Sequence, residues 1–154
     1  MLIWNILIFL IVYVAMEGVA WSAHKFLMHG PLWVLHKDHH QREPGFFEKN
    51  DLFFVIFAIP SMTGFIVGYF TGISGFIWGA SAIAAYGASY FLIHDVLIHQ
   101  RFKWLRNVQS PYFRAIRKAH KVHHKHLQKE DGECFGMLYV PPKYYREALR
   151  SLKK

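Results

Sequence analysis

The stretch HKFLMHGPLWVLHKDHH, residues 24–40, places two histidine motifs directly after an apolar N-terminal segment. The same motifs, His-x4-His and His-x2-His-His, return at 94–99 and 120–124, after a second apolar region. Ten of the eleven histidines belong to this pattern: His24, His29, His36, His39, His40, His94, His99, His120, His123 and His124. Ten imidazoles are too many for one metal ion, so the repeat predicts a two-metal site built from two half-sites. His126 stands outside the pattern and is expected to be an ordinary solvated residue.

The spacing within each motif constrains the local backbone. On an α-helix, His-x2-His-His sets its first, middle and last rings at about 0°, −60° and +40° around the axis, so all three project from one face. The members of His-x4-His lie about 140° apart on a regular helix, so they require either a π-bulge or a helix that stops between them. Gly30-Pro31 favours a stop after His29. No such breaker follows His99, which leaves a bulge for the second copy.

The apolar regions around the motifs are long enough to cross a bilayer, which takes about 20 residues. The predicted spans are Leu2 to Ala20, Leu52 to Phe70 and Ile73 to Ile93, the last two forming a hairpin. All 18 Lys and Arg residues lie at 25–49 or beyond 100. If the first span enters from outside, this charge and all ten patterned histidines share the cytoplasmic side. We therefore predict an all-α integral membrane protein with three to four transmembrane helices and cytoplasmic interfacial helices that carry a histidine cluster.

The composition agrees with a membrane protein. At 154 residues the chain has room for one domain, residues 1–154. It is 53% hydrophobic yet has a formal net charge of +8, which suits a bilayer partner and a basic membrane surface, and we expect no nucleic-acid partner. The first span lacks a basic n-region and a cleavage site, so we expect it to be retained. The single Cys134 excludes an intramolecular disulfide and cysteine-based metal clusters.

Local signals place the second His-x2-His-His on a helix. Ser110-Pro111 is a typical N-cap followed by proline at the first helical position. The helix that follows carries the motif on the same face as Phe113 and Ile116, with Lys and Arg elsewhere, which favours an amphipathic helix at the membrane surface. Gln41 to Gly45 is expected to end the first histidine helix. A short basic helix is expected over residues 144–154.

The hairpin arms carry Gly64-x3-Gly68 and Gly75-x3-Gly79 near their connecting loop. Small residues at this spacing let membrane helices approach closely. Glycine is also simply common in membrane helices, and the pattern favours neither interpretation over the other.

Carboxylates near the motifs are candidates to orient the histidines, because a metal-bound imidazole normally donates its other N–H to a carboxylate or carbonyl. The candidates are Glu17, Asp38, Glu48, Asp51 and Asp95. Asp95 is the strongest, since an unpaired carboxylate beside an apolar span is costly and no Lys or Arg lies between 50 and 100. Glu48 and Asp51 fit ordinary interfacial residues equally well. Imidazole suits Zn, Cu, Fe and Ni, and a redox-active pair beside lipid indicates oxygen activation.

The run at residues 24–40 resembles the bacterial β-carotene hydroxylases, within the fatty acid hydroxylase and sterol desaturase superfamily. Further matching stretches are residues 50–53, 94–101, 119–124 and 135–139. The resemblance implies a non-haem di-iron monooxygenase of the bacterial inner membrane that hydroxylates C3 of β-ionone rings, converting β-carotene through β-cryptoxanthin to zeaxanthin. It also implies two iron ions on the ten patterned histidines, with zinc able to take the same site in purified protein. O2 and electrons from a ferredoxin or similar donor are implied as well.

Two other interpretations stay open. A hydroxylase or desaturase acting on fatty acyl chains or sterols would use the same metal chemistry and a similar apolar cavity. A haem-binding membrane anchor or metal carrier would place its histidines singly inside opposed spans, whereas these histidines cluster at span ends. The carotenoid hydroxylase is therefore the favoured hypothesis, and the fatty-acyl or sterol enzyme is its first alternative.

Overall fold

The fold consists of helices and loops throughout the described residues, which are 1–41, 44–130 and 132–152 of a computed structural model. The α-helices in these ranges are α1 Leu2–Ser22, α2 Trp33–His40, α3 Leu52–Thr71, α4 Ser74–Phe91, α5 Pro111–His123 and α6 Pro142–Leu152. Short 3-10 turns occupy Lys49–Asp51 and Lys103–Leu105. The all-α prediction is confirmed.

Within the described part of the chain, three helical stretches are long and apolar enough to cross a membrane: Leu2–Met28, Lys49–Thr71 and Ser74–Ile98. The first and third extend beyond the predicted spans because α1 and α4 continue directly into π-helical turns. Outward side chains such as Ile11, Val14 and Ile66 are exposed, as faces in contact with lipid should be. The apolar run at residues 26–35 is divided among a π-helical turn, a loop and α2, so it forms no fourth span.

The three long helices pack so that both His-x4-His motifs reach the same side. Ser74 donates a hydrogen bond to Asn5 (3.1 Å) where α4 and α1 begin. Tyr86 donates to Glu17 (2.7 Å) closer to where they end. The two helices therefore run parallel, while α3 runs back along α4 from the hairpin turn. Since α1 and α4 end together, their histidines emerge at one end of the three-helix layer.

Glycine permits close helix packing in the hairpin. A Cβ added at Gly64 would lie 3.0 Å from the Cβ of Ala80, and one at Gly68 would lie 2.6 Å from a side-chain atom of Ile77. Gly75 instead faces α1, whose nearest side-chain atom would be 3.3 Å from an added Cβ. The close-packing interpretation is therefore correct for these three positions.

The second histidine helix begins where the sequence predicts. Ser110 accepts a hydrogen bond from the backbone N–H of Phe113 (3.3 Å), and Pro111 is the first residue of α5. The buried face of α5 packs against α6 through a cluster of Ala115, Ala119, Tyr144 and Ala148. Arg117 differs from its expected outward position, because its guanidinium donates to the backbone carbonyls of Leu97, Leu105 and Val108. It thereby ties α5 to the end of the third span.

The first histidine helix ends at the helix-breaking residues that the sequence predicts. The first histidine helix, α2, ends at His40 with Gln41 as its C-cap. Arg42 and Glu43, which belong to the predicted stop, lie outside the described residues. The C-terminal helix ends at Leu152, and residues 153–154 also lie outside the described residues.

Candidate metal centre

Both His-x4-His pairs lie on π-helical turns. The backbone N–H of His29 donates to the carbonyl of His24 (3.0 Å), and that of His99 donates to the carbonyl of His94 (2.9 Å). These are the i to i+5 bonds of a π-helix, which bring residues five apart onto one face. In both copies the helix ends at the second histidine, His29 or His99, which is the C-cap. A bulge and a stop therefore act together in each copy, although no Gly-Pro pair follows His99.

All ten patterned histidines converge in two adjacent groups. Group one has ring nitrogens within 4.8 Å of one another and contains His24, His29, His36, His40 and His123. Group two is held together in the same way and contains His39, His99, His120 and His124. His94 joins group two because its Nε2 lies 3.0 Å from Nε2 of His39. The rings of His40 and His124 stack at 4.3 Å where the groups meet. His126 belongs to neither group.

The two groups do not correspond to the two copies of the motif. Group one includes His123 from the second copy, and group two includes His39 from the first. Both are the middle members of His-x2-His-His. The outer members, four residues apart, differ by about 40° around the helix, whereas the middle member lies about 60° from the first on the other side. The middle ring therefore points into the neighbouring group, and the two motif copies exchange one histidine.

The Nδ1 atoms of six rings contact oxygen atoms. The acceptors are the backbone carbonyls of Phe135 for His24 (3.0 Å), Leu127 for His29 (3.0 Å) and Glu133 for His123 (3.1 Å), and the side chains of Asn50 for His36 (2.7 Å), Glu48 for His39 (2.9 Å) and Asp95 for His94 (3.2 Å). Carbonyl and carboxylate oxygens accept hydrogen bonds, so each Nδ1 carries the proton. In a neutral ring, Nε2 then keeps a free lone pair.

These lone pairs face one another at short distances. The Nε2 atoms are 3.0 Å apart in His24 and His36, 3.2 Å in His29 and His123, and 3.0 Å in His94 and His39. Protonating one ring of a pair is unfavourable, because burial lowers the pKa of His36 to about 3 and holds that of His39 well below its ordinary value. A cation bound by both lone pairs removes the repulsion. The donor set therefore fits metal ions.

His40 faces group one with its Nε2, which lies 3.1 Å from Nε2 of His36. Burial lowers the pKa of this imidazole, and nearby imidazoles, with His124 first among them, lower it further, so protonation does not relieve the repulsion between the two lone pairs. An ion at group one would bind this Nε2. Nδ1 of His40 is buried and has no hydrogen-bond partner among the described residues.

Two of the five candidate carboxylates contact an imidazole. Glu48 accepts from His39, and Asp95 accepts from His94. Asp95 is also paired with Arg101, whose guanidinium lies 2.8 Å from its second oxygen. The expectation that no basic residue neutralises Asp95 is wrong, because the chain turns after the third span and folds Arg101 back.

The other three candidates hold the surrounding backbone. Asp51 pairs with Arg101 (2.6 Å) and accepts from the backbone N–H of Glu48 (3.0 Å). Asp38 accepts from the backbone N–H of Lys49. One oxygen of Glu17 accepts from the backbone N–H groups of residues 137–139, each at 2.9 Å. None of the three carboxylates hydrogen-bonds to a ring nitrogen in the described residues, so they do not orient an imidazole directly.

An apolar cavity leads from the membrane layer to the histidines. It has a volume of about 600 Å³, lies between α1, α3 and α4, and is lined mainly by Phe, Met and Ala side chains. The residues at its inner end include His24 of group one and His94 of group two. A second cavity of about 400 Å³ reaches group one at His29, beside Trp33 and residues 127–130.

Comparison with known proteins agrees with this architecture. The fatty acid hydroxylase family model matches residues 9–140. The beta-carotene hydroxylase of Pantoea ananas is 40% identical over 140 residues, covering 91% of this chain and 79% of that protein. That of Paracoccus sp. (strain PC1) is 40% identical over 129 residues, covering 82% and 78%. The chloroplastic beta-carotene hydroxylase 2 of Capsicum annuum is 38% identical over 146 residues, covering 92% of this chain and 46% of that protein.

No solved structure matches the chain significantly. The similarity to bacterial β-carotene hydroxylases expected from the histidine runs is confirmed by the bacterial relatives. Since the family model covers most of the sequence and includes all ten patterned histidines, the chain belongs to the fatty acid hydroxylase family.

Proposed function

We propose that this chain is a membrane di-iron β-carotene hydroxylase that acts on C3 of the β-ionone ring. It would convert β-carotene to β-cryptoxanthin and then to zeaxanthin. One observation carries the proposal: an apolar cavity among the membrane-spanning helices ends at imidazoles of both histidine groups. Relatives named beta-carotene hydroxylase support the choice of substrate.

The ten patterned histidines would hold two iron ions, five rings to each group. Bound iron would supply the activation of O2. With two electrons per hydroxylation from a ferredoxin or similar donor and two protons, one oxygen atom would enter a C–H bond of the substrate and the other would leave as water. Imidazole donors suit iron and zinc alike. Zinc in purified protein would leave the enzyme inactive, because zinc has no redox chemistry.

The protein's own contribution is to fix the ligands and to keep the site dry. Oxygen acceptors at Nδ1 hold six rings in one tautomer, so that Nε2 is the donor atom. Aromatic walls that include Phe53, Phe54 and Phe57 line the cavity and would bind an apolar substrate while excluding water. Among the described residues of this lining, the acidic side chains are Asp51 and Asp95, and Arg101 forms an ion pair with each of them.

The membrane placement follows from charge. We propose a bacterial inner-membrane location from the bacterial relatives. We propose that the histidine groups face the cytoplasm, because every Lys and Arg lies in segments at that end of the spans. Residues 1–154 would form one hydroxylase domain. In this orientation the substrate enters from the lipid, and electrons arrive from the cytoplasm.

A second candidate is a hydroxylase or desaturase for fatty acyl chains or sterols. The description of the matching family, fatty acid hydroxylase, favours it, and an apolar cavity would accept such a chain. The haem-anchor interpretation is disfavoured, because Nε2 atoms within 3.2 Å of one another leave no gap for a porphyrin.

Expression in cells that accumulate β-carotene, with analysis of carotenoid products, tests the substrate. We expect β-cryptoxanthin and zeaxanthin to appear, and unchanged β-carotene beside hydroxylated fatty acids or sterols would favour the second candidate. Metal analysis of the same purified protein should give about two iron ions per chain when it is active. Full activity with one iron per chain would contradict the two-ion site.

A further inference from the structure

The apolar cavity is a slot that runs along the helix axes. Its lining extends from Phe53 to Phe65 on α3, and from Ile83 on α4 to Asp95 on the π-helical turn that continues α4. At 1.5 Å per residue, each stretch is about 18 Å long. This exceeds half of a hydrocarbon core about 30 Å thick. The slot therefore suits a rod-shaped apolar molecule that lies parallel to the spans with one end at the histidines.

Gly87 lies on the wall of this slot, two helical turns before His94. Seven residues on a helix correspond to about 10 Å along the axis, and both Gly87 and His94 line the slot. A Cβ added at Gly87 would meet no heavy atom within 4 Å, although the residue is half-buried. A side chain here would thus project into the slot. This distinguishes Gly87 from Gly64 and Gly68, which are required by helix packing.

We propose that Gly87 is a specificity-determining residue, whose missing side chain keeps the slot open for a substrate longer than one ring. With the reacting ring at the histidines, the chain of a carotenoid passes position 87, about 10 Å away along the helix. A molecule with one ring and a short tail ends before that point. The inference rests on the proposed function for its substrate class, and it can also be tested by binding.

The experiment compares Gly87→Ala, Gly87→Val and Gly87→Phe with the same substitutions at Gly18. Gly18 is a matched control because a Cβ there also meets nothing within 4 Å, yet it is exposed in the first span and does not line the slot. Two measurements are made on purified full-length protein loaded with iron. One is hydroxylation of β-carotene and of the short single-ring ketone β-ionone. The other is quenching of tryptophan fluorescence by β-carotene, a binding readout that does not require turnover.

We expect Gly87→Val and Gly87→Phe to lose at least about tenfold in β-carotene binding and turnover, within the range that overpacking a filled space typically costs. β-Ionone turnover should stay within about threefold of wild type, because this molecule ends before position 87; a direct clash with it would cost about tenfold or more. Gly87→Ala should have a smaller effect than Gly87→Val. All Gly18 variants should behave as wild type.

The outcomes separate this inference from the proposed function. Wild-type β-carotene binding and turnover in Gly87→Phe would overturn the role of Gly87 and leave the hydroxylase function intact. Loss of both substrates in that variant would also overturn it, because the side chain would then disturb the histidine end. If wild-type protein hydroxylates no carotenoid, the proposed function fails, and fluorescence quenching by β-carotene alone tests the role of Gly87. Loss of quenching in Gly87→Phe, with quenching kept in Gly18→Phe, would support this role. Equal quenching in the two variants, or no quenching in wild type, would overturn it.

Discussion

Replacing Asp95 with Asn should weaken metal retention without abolishing it. One carboxylate oxygen accepts from Nδ1 of His94 (3.2 Å), and the other accepts from Arg101 (2.8 Å). The amide keeps one acceptor oxygen and turns an NH2 group toward the second donor, so one of the two bonds is lost. Changing a group that orients a ligand typically costs about 10–100-fold in metal affinity. That range corresponds to about 1.4–2.7 kcal/mol.

Asp95→Ala should cost more than Asp95→Asn. Alanine leaves the buried N–H of His94 with no acceptor, a penalty of about 1–3 kcal/mol. The guanidinium of Arg101 is less affected, because it keeps Asp51 (2.6 Å) and the backbone carbonyl of Phe46 (2.7 Å). The larger loss is therefore expected at the imidazole.

The assay measures iron content and hydroxylation in the same preparation of each variant. Both quantities should fall by comparable factors, and added iron should restore part of the turnover of Asp95→Asn. Asp51→Asn is the matched control, because Asp51 shares Arg101 with Asp95 but contacts no imidazole. Its iron content should stay closer to wild type. Wild-type iron content and turnover in Asp95→Ala would refute the role of Asp95 in orienting His94.

Three further outcomes are expected. Alanine at any of the ten patterned histidines should reduce hydroxylation to background, while His126→Ala should stay active. Turnover measured in membranes tests this. An essential His126 would contradict the proposed ligand set. Metal-free protein should lose stability as pH falls from about 7 to 5. Histidines of the unfolded chain gain protons near pH 6.5, whereas burial in the folded protein lowers the pKa of His36 to about 3 and that of His124 to about 4. The unfolded chain therefore binds more protons in this pH range and is favoured as pH falls. Thermal unfolding in detergent measures it, and a midpoint independent of pH would speak against it. Glu17→Ala should lower stability by about 1–3 kcal/mol, since three backbone N–H groups lose their acceptor. Faster proteolysis of residues 132–140 would report the loosened segment, and unchanged proteolysis would argue against this anchor.

The membrane spans and the clustering of the ten histidines could be predicted, because the types and spacing of their side chains indicate them. Apolar length and the absence of Lys and Arg mark the spans. The repeated spacing marks the histidines, and the 140° separation within His-x4-His already required an unusual turn, which the π-helical bonds at His29 and His99 supply. These features are local, so one sequence is enough to read them.

The exchange of His39 and His123 between the groups could not be predicted, because it depends on how α2 and α5 face each other. The carbonyl acceptors of Leu127, Glu133 and Phe135 were also missed, since no side-chain pattern marks a backbone oxygen. Asn50 was within reach, because it is an amide between two candidate carboxylates. No Lys or Arg lies between residues 50 and 100, and the pairing of Asp95 with Arg101 depends on how the chain turns after the third span.

The oxygen acceptors make the two histidine groups chemically unequal. In group one, the acceptors at Nδ1 are neutral: three backbone carbonyls and the amide of Asn50. In group two they are the carboxylates of Glu48 and Asp95. A carboxylate at Nδ1 makes the imidazole a stronger donor than a carbonyl does, because its charge stabilises the proton on Nδ1 and raises ligand basicity. Arg101 offsets part of this charge at Asp95 through a hydrogen bond, and its charge also acts on Glu48. The repeated motif therefore builds two groups of five imidazoles that would differ in electron-donating strength toward a metal ion, and the difference lies in their hydrogen-bond partners.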